Sequence, residues 1–118
     1  MRVDNMNNLL CAGEKSGLFI GHTEAIVTGT LAGANAVRLV AGKQLIVLPS
    51  QLAVGDIIAT ANASIKERRN TAERFTFSGG NYFKRMQEMQ LYTTDIQQIR
   101  QRVEQAGLTD VYNVKVMA

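Results

Sequence analysis

The sequence predicts a small, mostly helical fold of the α/β or α+β class with a single hydrophobic core. A chain of 118 residues with 46% hydrophobic residues is long enough to bury one such core. Apolar residues recur at spacings of three and four in four stretches, which is typical of amphipathic helices. Shorter apolar runs end at Gly13 and before Pro49, which is typical of short strands.

The first element predicted is a strand that leads through a glycine-rich turn into a long helix. Leu9 to Ala12 forms an apolar run that Gly13 closes, and further glycines follow at 17 and 21. Thr23 is the expected N-cap of a helix that runs to about residue 40. The unpaired N–H groups and the positive dipole end of this helix would face the glycine turn, an arrangement that binds anions and cofactors. The glycine spacing matches neither G-x-G-x-x-G nor a P-loop.

Two different stripes of residues run along the surface of this first helix. One is apolar and the other is made of small residues, whose spacing places them on one face. The small stripe supports two interpretations: a helix pressed against a parallel sheet beside a dinucleotide, or tight helix–helix packing in a small dimer. Gly42 is the expected C′ residue. The apolar stripe comprises Ile26, Val27, Leu31, Val37 and Val40, and the small stripe comprises Ala25, Gly29, Ala32, Gly33 and Ala36.

The sequence pattern in the middle of the chain predicts a second helix. Residues 45–48 form an apolar run that is either a strand or a docking segment, and Pro49 stops it. Ser50 offers an N-cap, and apolar residues at helical spacing then predict an amphipathic helix over about 51–68.

Basic and aromatic residues interleave after this helix. They indicate either a phosphate-contacting patch with stacking rings or a solvated linker followed by core aromatics. We favour the second interpretation, because Phe75 and Phe77 alternate like a short buried strand. A turn at 78–80 precedes a third helix over 81–89 with Tyr82, Phe83, Met86 and Met89 inward. The basic residues are Lys66, Arg68, Arg69, Arg74, Lys84 and Arg85.

The last stretch predicts a helix followed by a strand. Residues 94–97, Thr-Asp-Ile-Gln, read as a capping box. Ile96, Ile99, Val103 and Ala106 share one helix face, and Gly107 closes the helix. Residues 111–116 then alternate like a strand.

Candidates for catalysis are few, and no catalytic residue is assigned. The single histidine, His22, excludes a histidine metal cluster, and no metal site is expected. The lone Cys11 reads as a buried apolar residue and fits a reducing cytoplasm. A net charge of +3 permits contact with RNA without requiring it. No apolar run reaches membrane-spanning length, so no membrane association is expected.

The glycine-rich stretch also carries a family resemblance. Ala12-Gly13-Glu14, Gly21-His22-Thr23-Glu24-Ala25 and residues 29–36, Gly-Thr-Leu-Ala-Gly-Ala-Asn-Ala, fall on a known pattern. It resembles the late FAD-contacting segment of the glucose-inhibited division protein A family, which includes tRNA-modifying flavoproteins. The loop between Gly17 and Gly21 is one residue longer here and His22 replaces a tyrosine, which indicates a related but distinct branch.

The resemblance implies a C-terminal fragment of an FAD-binding Rossmann-like domain, residues 1–48, followed by a mainly helical C-terminal region, residues 49–118, that ends in a strand. The family binds the ADP half of FAD through a strand–GxGxxG unit, which this chain lacks. We therefore expect FAD only in a full-length context and no activity from this chain alone. The cofactor-binding residues implied are Gly13, Glu14, Gly17, Gly21, His22, Thr23, Glu24 and Ala25.

We also expect particular binding partners, and one alternative function remains open. The family function is that of an FAD-dependent oxidoreductase or methyltransferase acting in tRNA uridine modification. The alternative is a non-enzymatic oligomerising or RNA-binding accessory module. A homo-oligomer is expected, because a strand at 9–12 would leave an unpaired edge and the first helix needs cover. The missing FAD domain and tRNA are the other partners considered.

Overall fold

A computed structural model describes residues 1–13, 19–67 and 74–116 of the chain. The predicted mostly helical architecture is confirmed. Within the described residues there are four α-helices and one 3₁₀ helix. They are α1 (His22–Val40), α2 (Ala53–Glu67), α3 (Gly80–Glu88), α4 (Ile96–Gln105) and the 3₁₀ helix Val111–Asn113.

The predicted strands are wrong for the described part of the chain, which contains only isolated bridges. Leu10 forms an antiparallel bridge with Arg2, so the run at 9–12 folds back on the first residues instead of entering a parallel sheet. Residues 111–113 form the 3₁₀ helix, and 114–116 pair with no strand in the described residues, so the chain does not end in the predicted strand. The Rossmann-like part of the fold prediction is therefore not confirmed.

Helix α1 turns a partly polar face inward and leaves most of its apolar stripe uncovered within the described residues. Of the five residues in the apolar stripe, only Leu31 is buried, while Ile26 and Val40 are largely exposed. Thr28 and Asn35 are buried because hydrogen bonds satisfy their polar groups. The Asn35 carboxamide donates to the Ile46 carbonyl at 2.9 Å and accepts from the Ile46 N–H at 2.7 Å. This pair of hydrogen bonds holds segment 43–49 against α1.

The core lies where α2, α3 and the segments before α1 and α3 meet. Phe19 and Phe75 form a parallel bridge, and both are buried. Tyr82 meets Phe75 edge to face at a centroid distance of 6.5 Å. The interpretation that the aromatics belong to the core is confirmed for Phe75 and Tyr82, whereas Met89 is 53% exposed and its predicted inward position is wrong. The cluster comprises Phe19, Ile57, Ala61, Phe75, Tyr82 and Met86.

Helix α2 begins at Ala53, so the predicted cap at Ser50 is wrong. The Leu52 N–H donates to the Pro49 carbonyl at 3.1 Å, which forms a turn ahead of the helix. Gly55 is buried against this turn. A Cβ built on it would lie 2.7 Å from the carbonyl carbon of Leu48 and would collide with the Pro49 carbonyl oxygen. A glycine is therefore required by this close backbone approach.

A buried carboxylate joins α2 to α3. Asp56 is 2% exposed and receives two hydrogen bonds of 2.9 Å from the Arg85 guanidinium. The Tyr82 hydroxyl lies 2.9 Å from the same carboxylate. Hydrogen bonding from Arg85 lowers the pKa of Asp56, and burial beside Asp56 raises the pKa of Tyr82. These groups satisfy one another, so the cluster stabilises the helix pair.

Helix α4 follows the predicted pattern with a shift of one residue at its start. Asp95 rather than Thr94 is the N-cap, and its carboxylate accepts from the N–H of Gln97 at 2.9 Å. Gly107 follows the helix with a φ of 70°, which confirms the predicted glycine ending. Arg102 donates to the carbonyls of Gln90 and Leu91, each at 3.0 Å, and so holds α4 against the end of α3.

Candidate functional site

The structure brings Gly13 and Ala25, two of the predicted site residues, together. Gly13 is buried with a φ of +61°, a conformation that favours glycine. Its N–H donates to the Thr28 hydroxyl at 2.8 Å, and that hydroxyl donates to the Glu24 carbonyl at 2.7 Å. A Cβ on Gly13 would lie 3.5 Å from the Cα and Cβ of Ala25. Gly13 therefore packs directly against the first turns of α1.

The start of α1 is formed by Gly21, and the predicted N-cap Thr23 is wrong. Gly21 is the N-cap with a φ of 119°, and no side chain of the described residues caps the helix. Thr23 lies one residue inside the helix, and both His22 and Thr23 are exposed. Because helix-initiating N–H groups have no partner within the helix, this end offers hydrogen-bond donors and a positive dipole.

Glu24 is buried beneath the site and stabilises its structure. It is 2% exposed, and its Oε1 accepts hydrogen bonds from the Phe77 N–H and from the Thr76 hydroxyl, the latter at 3.1 Å. Its other carboxylate oxygen lies close enough to Gly21 that a side chain there would collide with it. The carboxylate thus fixes the start of α1 to the turn that precedes α3.

The remaining predicted positions, Glu14 and Gly17, lie outside the described residues. The surface that the structure does describe consists of His22 and Thr23, with Gly21 ahead of them and Gly13, Glu24 and Ala25 beneath.

An apolar cavity of about 500 Å³ adjoins this helix start. Thr23 and Val27 of α1 line one side, and residues of the other three helices and their connections line the rest, among them Leu52, Phe77, Leu91 and Tyr92. The volume lies within the range of small-molecule sites. Sequence patterns do not reveal this cavity, because its walls come from four elements that are distant along the chain.

Other kinds of site are absent from residues 1–13, 19–67 and 74–116. These residues contain no group of three acidic, histidine or cysteine side chains placed to hold a metal ion. Of the helices in these ranges, none combines the length and hydrophobicity that a membrane span would need.

The part of the chain that contains the site is similar to known proteins. The family model described as "Glucose inhibited division protein A" matches residues 1–44, which include Gly13 and all of α1. A tRNA-(uracil-5-)-methyltransferase, TrmFO of Bacillus subtilis (strain 168), is 36% identical over 61 residues, 49% of this chain and 14% of its own length. The methylenetetrahydrofolate–tRNA-(uracil-5-)-methyltransferase TrmFO of Bacillus cereus (strain G9842) is 43% identical over 51 residues, 43% of this chain and 12% of its own length.

The chain thus spans 12% to 14% of the length of these curated relatives. No solved structure matches it. The chain is similar over its first 44 residues to the glucose inhibited division protein A family, and the resemblance carried by its glycines and by the run from Gly21 to Ala25 is confirmed.

Proposed function

We propose that this chain is the FAD-binding C-terminal portion of a glucose-inhibited division protein A-like, FAD-dependent oxidoreductase. One observation carries the proposal: the segment that matches the family, residues 1–44, contains Gly13, Gly21 and the exposed start of α1. These features suit a ligand with oxygen acceptors. The FAD, when bound, supplies the redox chemistry, and the protein supplies binding and orientation.

The residues at the helix start fit the flavin portion of such a cofactor. The exposed His22 and the N–H groups of the first turn offer hydrogen bonds to ring oxygen and nitrogen atoms, and the helix dipole favours electron-rich groups. The adjoining cavity is largely apolar and has the size of a small-molecule site, which suits a flat ring system. Glu24 and Thr28 contribute indirectly, since they hold Gly13, Gly21 and α1 in place.

The wider function follows from the relatives, whose names describe tRNA uracil methyltransferases. We infer that the complete flavoprotein acts in tRNA uridine modification, and the lone Cys11 suits a reducing cytoplasm. This chain by itself is expected to be inactive and to purify without colour, because it lacks the strand–GxGxxG unit that would hold the ADP half of FAD.

Titration of the purified chain with riboflavin or ADP, followed by amide NMR shifts, tests the flavin contact. Riboflavin should bind weakly and shift the amides of Gly21, His22 and Thr23, while ADP should leave them unchanged. Thr23→Leu should reduce the riboflavin shifts. Thr30→Leu is the matched control, since Thr30 is an exposed threonine of the same helix and does not line the cavity.

Two results would count against the proposal. The first is the absence of any flavin-induced shift at these amides, with salt-sensitive tRNA binding observed instead, which would favour an RNA-binding module. The second is a stoichiometric flavin spectrum that survives gel filtration, because it would show that the chain forms a complete FAD site without the ADP-binding half.

A further inference from the structure

Helix α4 lies against the apolar cavity without being packed into the core. None of its residues is buried. Among the described residues, no α4 side chain belongs to the buried cluster or to the partly buried side chains that pack against that cluster. Ile99, Arg102 and Val103 form part of the cavity lining instead. The apolar side of α4 therefore faces a space of about 500 Å³ rather than closely packed side chains.

A helix of this length with so little burial has little stability of its own. Isolated helices shorter than about 12–15 residues are marginal in water, and α4 spans ten residues. Its Asp95 cap and the glycine that follows it fix where the helix begins and ends, but they bury no apolar area. Helix α3, in contrast, places Tyr82 and Met86 in the core. Local opening of α4 should therefore require less free energy than local opening of α3.

Arg102 holds α4 in place through two backbone carbonyls at the end of α3. Its Nη1 donates to the Leu91 carbonyl and its Nη2 to the Gln90 carbonyl, each at 3.0 Å. The end of α3 presents these carbonyls, because Gln90 adopts a φ of 56° and the Leu91 N–H returns to the Met86 carbonyl at 2.8 Å. Within the described ranges, no other side-chain hydrogen bond or ion pair joins α4 to another element.

The chain just ahead of α4 supplies a pivot. Tyr92 is fixed to α3, since its N–H donates to the Met86 carbonyl at 3.3 Å and its ring meets Phe83 edge to face at a centroid distance of 5.2 Å. Residues 93–95 then lead into the helix, and their internal hydrogen bond, from the Asp95 N–H to the Thr93 hydroxyl, lies on the surface. Rotation about these three residues would move α4 away from the cavity once the two Arg102 bonds break.

The residues that follow α4 do not oppose this movement. The described hydrogen bonds of residues 106–113 are made with α4 or among these residues themselves. They therefore travel with the helix as one piece.

We propose that α4 is a hinged lid over the cavity, latched by Arg102 and held closed by a ligand inside the cavity. Such a ligand would bury the side chains of Ile99 and Val103, and this burial favours the closed position. A ligand enters and leaves when the lid opens, so the latch controls the rate of exchange. The identity of the ligand rests on the proposed function, in which a flat ring system occupies the cavity. The lid itself follows from the packing of α4.

Amide hydrogen exchange of the purified chain, resolved by NMR, tests the lid and its latch. The hydrogen-bonded amides of α4 should have protection factors at least about tenfold lower than those of α3. Arg102→Met removes the guanidinium donors but keeps an unbranched apolar side chain. It should lower protection in α4 about tenfold further and leave α2 and α3 unchanged, because two charge-assisted hydrogen bonds are lost.

Arg100→Met is the matched control for the latch. Arg100 is an exposed arginine of the same helix and makes no hydrogen bond or ion pair with the described residues. This variant should leave the protection factors of α4 unchanged.

Separate additions of benzene and riboflavin to the parent chain test whether a ligand closes the lid. Benzene enters apolar cavities, and at half-saturation it should raise the protection factors of α4 about twofold, and further in proportion as its concentration rises. Riboflavin should act in the same way where the proposed function holds. A response to benzene but not to riboflavin would support the lid and contradict the flavin assignment.

Several results would overturn the lid. They are an α4 as well protected as α3, equal effects of Arg102→Met and Arg100→Met, and benzene that does not bind or that binds without slowing exchange in α4. Riboflavin that shifts the amides of Gly21, His22 and Thr23 without slowing exchange in α4 would support the flavin assignment and reject the lid. The ligand measurements use the parent chain, so they decide the matter even where Arg102→Met lowers the stability of the whole fold.

Discussion

Asp56 shows how one buried side chain holds two helices together. Its carboxylate is 2% exposed and accepts hydrogen bonds from both Arg85 and Tyr82. Removing one partner of such a group leaves the others buried with unmet hydrogen bonds, which costs more than the net gain of forming them. The sequence shows Asp56 only as an acidic residue in the first turn of a helix. Its role depends on partners 26 and 29 positions away along the chain, which a local sequence pattern does not reveal.

Asp56→Asn should therefore destabilise the fold by about 1–3 kcal/mol at neutral pH. The pKa of Asp56 is lowered in the folded state, chiefly by the hydrogen bonds from Arg85. Its stabilising contribution is thus complete above the unfolded-state pKa and is lost as pH falls through the lower, folded-state pKa. Urea unfolding at a series of pH values should show a smaller loss of stability in acid for the variant than for the parent.

Glu88→Gln provides the control for this measurement. Glu88 pairs with Lys84 at 4.0 Å, but both side chains are mostly exposed. Exposed pairs contribute little to stability, so the unfolding free energy should change by less than about 0.5 kcal/mol. Equal effects of the two variants would show that Asp56 acts as an ordinary surface charge.

At the scale of elements, the prediction was most accurate where the signal was local. The ends of α1 and α4 follow from Gly42 and Gly107, both of which adopt positive φ. The strands were wrong because a strand exists only where a second segment pairs with it, and a single run of sequence does not state that partner. The buried face of α1 could not be read from the spacing of apolar residues, because hydrogen bonds with distant backbone groups allow Thr28 and Asn35 to be buried. Likewise, the positive φ at Gly13 and Gly21 was foreseeable, whereas the cavity beside them was not.

Two glycines inside helices should respond to alanine in opposite directions. Gly55→Ala places a Cβ against the backbone of residues 48 and 49, so we expect a net loss of about 1–3 kcal/mol from overpacking. Gly29→Ala meets no neighbour and should stabilise the monomer by up to about 1 kcal/mol through helix propensity. Thermal unfolding of dilute samples measures both. Stabilisation by Gly55→Ala would contradict the close approach of α2 to the 48–49 turn.

At the scale of the whole molecule, one buried cluster joins residues that lie between positions 19 and 86 of the chain. Phe19, from the segment predicted as 1–48, belongs to the same buried cluster as Ile57, Phe75, Tyr82 and Met86, from the segment predicted as 49–118. A shared core of this kind favours one cooperative unit.

Phe19→Ala should accordingly destabilise the entire chain by about 3–5 kcal/mol, because it opens a cavity in the shared core. Unfolding followed by helix signal and by tyrosine fluorescence should then give coincident transitions in both the parent and the variant. Ile20→Ala is the control, since Ile20 is 48% exposed and its truncation should cost far less. Two separate transitions, with only the first shifted by Phe19→Ala, would instead show two independently folding segments.

The double hydrogen bond between Asn35 and Ile46 differs from the Asp56 cluster in its response to acid. A carboxamide carries no ionisable proton at these pH values, so the attachment of segment 43–49 to α1 is insensitive to pH. The join between α2 and α3, in contrast, depends on an ionised carboxylate. Falling pH therefore weakens the α2–α3 contact through Asp56, while the two hydrogen bonds between Asn35 and Ile46 still hold segment 43–49 to α1.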